Sequence, residues 1–368
     1  MEKFLTIVVF CITLFVYIHI YHHKKTSNDL EIFDVDTPSK ERLEELCELR
    51  QPLTIQYANE DLIKTFNNET IGNTYGAFDI NIRTFEKFIT LSFNTAEMLF
   101  NKDDSQNYNS ENNAAFLTET TLVKQMQNND LYLRPYMVSS CKYDILFGSK
   151  QTHTPLRYEI CNRHYLYVTQ GNVKIKLTPP SNTKYLYREK DYEMLEFRSK
   201  INVWEPEEQY MKSYKKVKFL ELDVTAGTLV YIPAYWWYSI QYSAASINCV
   251  LSFKYITYMN TIAISPELLI HYLQTMNMQF KTERVAPEAR QQAQDTRAEQ
   301  PLEQAQQTQS EQPQSEQPQA EQPQQAEQPF GQAEQPVALN DPVAHNDIGA
   351  HNDIGAQIDE LRSTLAEL

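Results

Sequence analysis

The longest apolar run in the chain stands at its start. Residues 4–21, FLTIVVFCITLFVYIHIY, carry no formal charge, and the run ends at His22-His23-Lys24-Lys25. Eighteen residues at ~1.5 Å each extend roughly 27 Å, enough to cross a hydrocarbon core. No small-x-small cleavage pattern closes the run, so residues 1–25 read as a retained single-pass anchor rather than a signal peptide. Tyr17 and Tyr21 suit its interfacial end. Lys24 and Lys25 outweigh Lys3 and the terminal amine, which puts the rest of the chain on the cytoplasmic side; the sequon Asn68-Glu69-Thr70 argues weakly for the other.

Beyond a short polar linker (26–36), Thr37-Pro38-Ser39-Lys40 opens a helix with a hydroxyl N-cap and proline at the first position, setting Leu43, Leu46 and Cys47 on one face. RQPLTIQY (50–57) is a first strand. Residues 60–127 mix helices with a polar loop at 102–113. From Leu131 to Tyr258 strands dominate: YLRPYMV, YDILFGS, LRYEI, HYLYVT, NVKIKLTPP, VKFLELDV, TLVYIP, WWYSIQYS and INCVLSFKYI. Many short β-branched and aromatic runs with no long helix between them predict a sandwich or barrel. Residues 264–281 return to helical spacing, with Leu268, Leu269, Tyr272, Leu273 and Met276 as the stripe.

Past Glu283 the pattern vanishes. A degenerate Glu-Gln-Pro repeat and the tandem AHNDIG-AHNDIG fill residues 283–353, which have almost nothing to bury and are expected to be a disordered spacer. Ile354, Ile358, Leu361, Leu365 and Leu368 then keep a 4, 3, 4, 3 spacing, a two-heptad stripe over 354–368 suited to self-association or to another protein partner.

Charge follows this division. Lys and Arg number 33 against 48 Asp and Glu, a net −15, but residues 283–368 hold 16 acidic and 4 basic side chains, leaving −3 for residues 1–282. A nearly neutral body with an acidic tail argues against sequence-independent binding to nucleic acid. The five cysteines (Cys11, Cys47, Cys141, Cys161, Cys249) are scattered and lack a C-x-x-C pair, so neither a disulfide framework nor a zinc site is expected.

One stretch is more specific. AGTLVYIPAYWWYSIQYS (226–243), following ELDVT, resembles the late strands of cupin-like JmjC domains, the group similar to asparaginyl hydroxylases. There a glycine starts the strand, an apolar run ends in Ile-Pro, and the chain turns into Trp-Trp-His. Upstream, THTPLRYEICNRHYLYVTQGNVKIKLTPP (152–180) resembles the T-P-x-H-x-D segment of that family, with its later glycine and Pro-Pro turn in register. The resemblance covers roughly residues 40–260. It implies a mainly β fold with flanking helices: a double-stranded β-helix (jelly-roll) over 26–282, behind the transmembrane helix.

The resemblance also implies a site, and the ligands are missing from it. Family members hold Fe(II) with two histidines and a carboxylate, leaving open positions for 2-oxoglutarate and oxygen. Matched residue by residue, the first histidine falls on Arg157, the aspartate on Glu159 and the second histidine on Tyr238. Arginine has no lone pair to offer a metal. The lysine that pairs with 2-oxoglutarate in close relatives falls on Val173, with Lys174 one residue away. No catalytic residue and no resident cofactor are therefore expected. Arg157 and Glu159 are expected on one side of their strand, with Tyr238 offering its hydroxyl to either.

The resulting expectation is a membrane-anchored, catalytically inactive cupin/JmjC-like protein with a structural or binding role. The alternative is an Fe(II)/2-oxoglutarate-dependent oxygenase, a protein hydroxylase, whose displaced metal site uses His153, His164 and Glu159. A third possibility is a receptor pocket in which Arg157 holds a small carboxylate. The Asn, Lys and Tyr richness and the short tandem repeats resemble proteins of large DNA viruses, pointing to a virion or viral-factory membrane.

Overall fold

The apolar N-terminal run is one helix, α1 (Glu2–Lys24), and none of its residues is buried. The computed structural model describes residues 1–84, 87–102, 108–243 and 247–279. The expectations for 283–353 and 354–368 lie outside the described residues.

The foot of α1 is tied to the start of the domain. Arg50 donates through Nη1 to the carbonyls of His22, His23 and Lys25 at 2.5, 2.9 and 2.8 Å. The segment expected to be a polar linker contains a short strand, β1 (Phe33–Val35), which pairs in parallel with β2 (Leu53–Gln56). Between them lies α2 (Lys40–Glu48), whose cap is Ser39: its hydroxyl accepts the Arg42 N–H at 3.3 Å. The cap expected at Thr37, with Pro38 leading the helix, is thus two residues early. The face does follow the spacing, with Leu43, Leu46 and Cys47 buried.

Two short helices come next, α3 (Glu60–Thr65) and α4 (Asn68–Tyr75), begun by Asn59 and Asn67, whose side chains accept from the Leu62 and Thr70 amides. The strands β3 (Asp79–Thr84) and β4 (Lys87–Ser92) then pair antiparallel, in a region expected to be mixed and to hold helices around a polar loop. α5 (Phe93–Lys102) follows. The polar stretch 102–113 contains β5 (Asn109–Ser110) and leads into α6 (Ala114–Glu119) and α7 (Leu122–Asn129).

The β-rich half holds β6 (Val138–Gly148), β7 (Arg157–Tyr158), β8 (Arg163–Gln170), β9 (Asn172–Thr178), β10 (Arg188–Asp191) and β11 (Glu196–Ser199). After the one-turn α8 (Met211–Tyr214) come β12 (Leu220–Thr225), β13 (Thr228–Pro233), β14 (Trp237–Tyr242) and β15 (Asn248–Thr257). Helices α9 (Tyr258–Ala263) and α10 (Ser265–Gln279) close the described chain. YLRPYMV, expected as a strand, is mostly turn, because its ladder begins only at Val138. The hairpin β10–β11 (Arg188–Ser199) has charged positions on both faces and gave no alternating signal.

Two sheets result, ordered β1-β2-β13-β8-β15-β6-β5-β3-β4 and β10-β11-β7-β14-β9-β12. Except for the excursion β9 to β12, each strand from β6 to β15 crosses to the other sheet from its predecessor. Two of these crossings turn at Gly171 (φ 82°) and Gly227 (φ 90°), a backbone region that favours glycine. This alternation is that of a jelly-roll, with the two sheets remaining separate ladders. The space between them is filled by Leu146, Leu166, Val168, Ile175, Val230 and Ile240, among others.

Candidate functional site

β14 explains the paired tryptophans. With a side-chain period of two, Trp236, Tyr238, Ile240 and Tyr242 face the space between the sheets. Trp237 faces the other way, into an outer cluster with Leu156, Tyr158 and Phe197. Each indole N–H finds a carbonyl or hydroxyl: Trp236 donates to Ser27 O at 3.1 Å and Trp237 to Thr183 Oγ1 at 2.9 Å. Antiparallel pairing then sets Tyr238 opposite Arg157.

Arg157 is 7% exposed, and all three of its guanidinium nitrogens are engaged. Nε donates to the Tyr238 hydroxyl at 3.0 Å, Nη1 to Glu196 Oε1 at 3.2 Å, and Nη2 lies 2.5 Å from Glu111 Oε2. Arg83 closes the group: it pairs with Glu111 through Nε and donates through Nη2 to both Glu196 oxygens at 2.9 Å. Two guanidiniums and two carboxylates make a neutral cluster. That is the condition under which buried ions are tolerated. Burial pushes the Glu111 carboxyl up, but Arg157 and then Arg83 outweigh it and hold its pKa well below the usual range.

Glu159 has a different cation. Lys254 of β15 donates to its Oε1 at 2.7 Å, and the Tyr238 hydroxyl donates to the same oxygen at 3.2 Å. Burial raises the Glu159 pKa and Lys254, followed by His164 and Arg157, lowers it, with a net value of about 2. Tyr238 therefore bridges two ionic groups, accepting from Arg157 and donating to Glu159. Its ring lies 5.5 Å below the guanidinium carbon and 5.1 Å from the His164 ring.

The structure thus brings Arg157, Glu159 and Tyr238 together, while dividing their charges differently from a simple Arg157–Glu159 pair. Sequence reasoning missed Arg83, Glu111, Glu196 and Lys254. The first three lie in segments with no motif. Lys254 did leave a signal: it is a lone cation inside INCVLSFKYI, a strand otherwise buried for most of its length.

His164 Nε2 meets Ser252 Oγ at 3.0 Å, and its Nδ1 has no hydrogen-bond partner. Burial, followed by the Lys254 charge, lowers its pKa to about 3, so the ring is neutral at physiological pH. His153 pairs antiparallel with Gln241 through its backbone. Among the described residues no three His, Cys, Asp or Glu side chains are grouped to hold a metal. The donor set does not fit iron: a guanidinium and a phenol occupy two of the three matched positions, and the carboxylate is neutralised by an ammonium.

Neither is the 2-oxoglutarate lysine replaced by a one-residue slip. Val173 points into the space between the sheets, whereas Lys174 stands outside, 3.8 Å from Asp223. Arg157, with every nitrogen engaged, is not a free anchor for a small carboxylate. A cleft of about 780 Å³ adjoins the network, lined in part by Lys254, Asp144, Lys142, Arg134 and Leu117.

The alternating two-sheet topology is that of a double-stranded β-helix of the cupin type. A model of the cupin-like domain matches residues 41–256, well over half of the sequence, and the chain belongs to that family. It is similar to HSPB1-associated protein 1 of Bos taurus and of Homo sapiens, 27% identical over 95 residues in each case, covering 26% of this chain and 20% of theirs. It is also similar to JmjC domain-containing protein D of Dictyostelium discoideum, 28% identical over 101 residues, or 27% of this chain and 22% of the other. The chain thus spans about a fifth of the length of these relatives.

Proposed function

We propose that this chain is a membrane-anchored cupin-like module that acts by binding or scaffolding, without iron chemistry. The observation that carries the reading is the occupation of the inner face: Arg157 and Lys254 supply positive charge there, and the protein's own carboxylates and the Tyr238 hydroxyl answer it. α1, with a mean hydropathy of 2.3 over its apolar window, serves as the single-pass anchor, the domain lying on its cytoplasmic side. The tail supplies contacts to further copies or to other proteins. A virion or viral-factory membrane belongs to this reading on composition and tandem repeats alone.

The full chain in detergent, equilibrated anaerobically with Fe(II) and then desalted, should retain far less than one iron per chain. It should not decarboxylate 2-oxoglutarate above the enzyme-free rate. Stoichiometric iron with turnover overturns the reading. One feature favours the rival oxygenase with a displaced site, namely the unpartnered Nδ1 of neutral, buried His164. If that nitrogen is a ligand, iron retained by the full chain should disappear in His164→Gln.

A further inference from the structure

Helix α1 packs against α9, and only Ile264 separates α9 from α10. The half-buried positions of α1 are Val8 and, in its C-terminal half, Val16, His19, Ile20 and His23. Across α9 and α10 the side chains of Tyr258, Ile262, Leu269, Ile270, Tyr272 and Leu273 are exposed. A helix that meets water on one side ordinarily carries charged and polar residues there. From Tyr258 to Gln279 the sequence has one formal charge, Glu267, and that residue turns to the domain. It helps to line a cavity of about 250 Å³ together with Lys24, Arg188 and Lys190. The inward side of α10 is already used, Leu268 packing in the outer cluster and His271 Nδ1 meeting the Tyr192 carbonyl at 2.7 Å.

We infer that the exposed face of α9 and α10 docks on the phospholipid surface that receives α1. This rests on the reading of α1 as a membrane anchor. Two features select lipid over a second copy of the chain. The apolar face belongs to helices packed on, and continuous with those packed on, an apolar span, so a bilayer around α1 lies within reach of it. Beside it, Lys24, Arg188 and Lys190 gather at the foot of the span, where headgroup phosphates would lie. A helical face with an apolar side, no outward charge and one exposed tyrosine on each of its two helices suits the boundary between headgroups and acyl chains. The domain would then lie against the bilayer rather than hang from a free tether.

The test uses the full chain carrying benzoylphenylalanine at one position at a time, reconstituted in phosphatidylcholine–phosphatidylserine vesicles, irradiated and weighed by mass spectrometry. Ile262 and Tyr272 report the face, Phe15 the span, and Asp223, exposed on β12, serves as the control. The expected result is a mass shift of one phospholipid at Ile262, Tyr272 and Phe15, and none at Asp223. Lipid at Phe15 but at neither Ile262 nor Tyr272 overturns the docking surface and leaves the anchor standing. No lipid at Phe15 removes the anchor, and the docking surface with it. A shift of one whole chain at Ile262 and Tyr272, or an internal cross-link to the tail, shows the face covered by protein and overturns the inference. Equal lipid yield at Asp223 overturns it as well, because contact would then be indiscriminate.

Discussion

Arg157 has two acidic partners besides Tyr238, and this decides what its removal does. Arg157→Ala leaves Glu111 and Glu196 sharing Arg83 alone, one negative charge in excess inside the fold. Breaking a buried pair in this way costs about 3–5 kcal/mol. The double change Arg157→Met with Glu111→Leu leaves the Arg83–Glu196 pair balanced and should be milder than the single one; chemical denaturation of both variants checks the order. Tyr238→Phe removes a bridge but no charge, so about 1 kcal/mol is expected from the same measurement. His164 gives a pH signature. Its folded-state pKa of about 3 lies below the ordinary 6.5, so the unfolded chain binds a proton that the folded interior refuses. Stability should therefore fall as pH drops from 6.5 toward 3, and Glu159, held at about 2 against 4.5, adds a second loss below pH 4.5. His153, lowered by burial, contributes with the same sign, so the informative comparison is between variants. The drop in thermal midpoint from pH 7 to pH 5 should be smaller in His164→Gln than in the wild type. The spacing of T-P-x-x-x-x and W-W-x was enough to select Arg157, Glu159 and Tyr238. Their partners were not legible, since Glu111, Glu196 and Arg83 are brought in by the fold from residues 39 to 74 positions away from Arg157 in the chain.

Among the elements, those with a regular apolar period were legible and those defined by pairing were not. The strands β8, β9, β13, β14 and β15 follow their apolar runs, and α2 buries the face its spacing names. The strand β1 and the hairpin β10–β11 are short or polar and exist because a neighbouring edge receives them, whereas β3 does alternate, burying Ile80 and Ile82, and sequence reasoning missed that signal. The inner face also explains a glycine. A Cβ on Gly148, at the end of β6, would lie 2.0 Å from the ring of Tyr242, which is fully buried. Gly148→Ala should thus destabilise by about 1–3 kcal/mol, as overpacking does, read as a lower denaturation midpoint with an unchanged slope. At the other extreme stands α1, with nothing buried. The full chain should stay in the membrane pellet after carbonate extraction, whereas a chain beginning at Thr26 should be released. Recovery of the full chain in the supernatant would exclude the anchor.

For the whole molecule, the order of strands in space differs sharply from their order in sequence. β2 lies beside β13, whose residues come some 170 positions later, and β15 lies between β6 and β8. Such pairings must close long loops before any contact rewards them, so folding of this topology is slow compared with that of helical bundles. Synthesis makes the delay stricter. Helix α1 precedes the domain in the chain, while the central strand β15 leaves the ribosome after nearly all of the described domain. Until Asn248–Thr257 is available, β6 and β8 each expose an open edge, a surface prone to pairing with other chains. The nascent domain would therefore stay unfolded and edge-exposed until β15 has been made. Chains interrupted before Asn248 should be insoluble or degraded, and the repeat-rich stretch beyond Glu283 is still to be translated when β15 has been made.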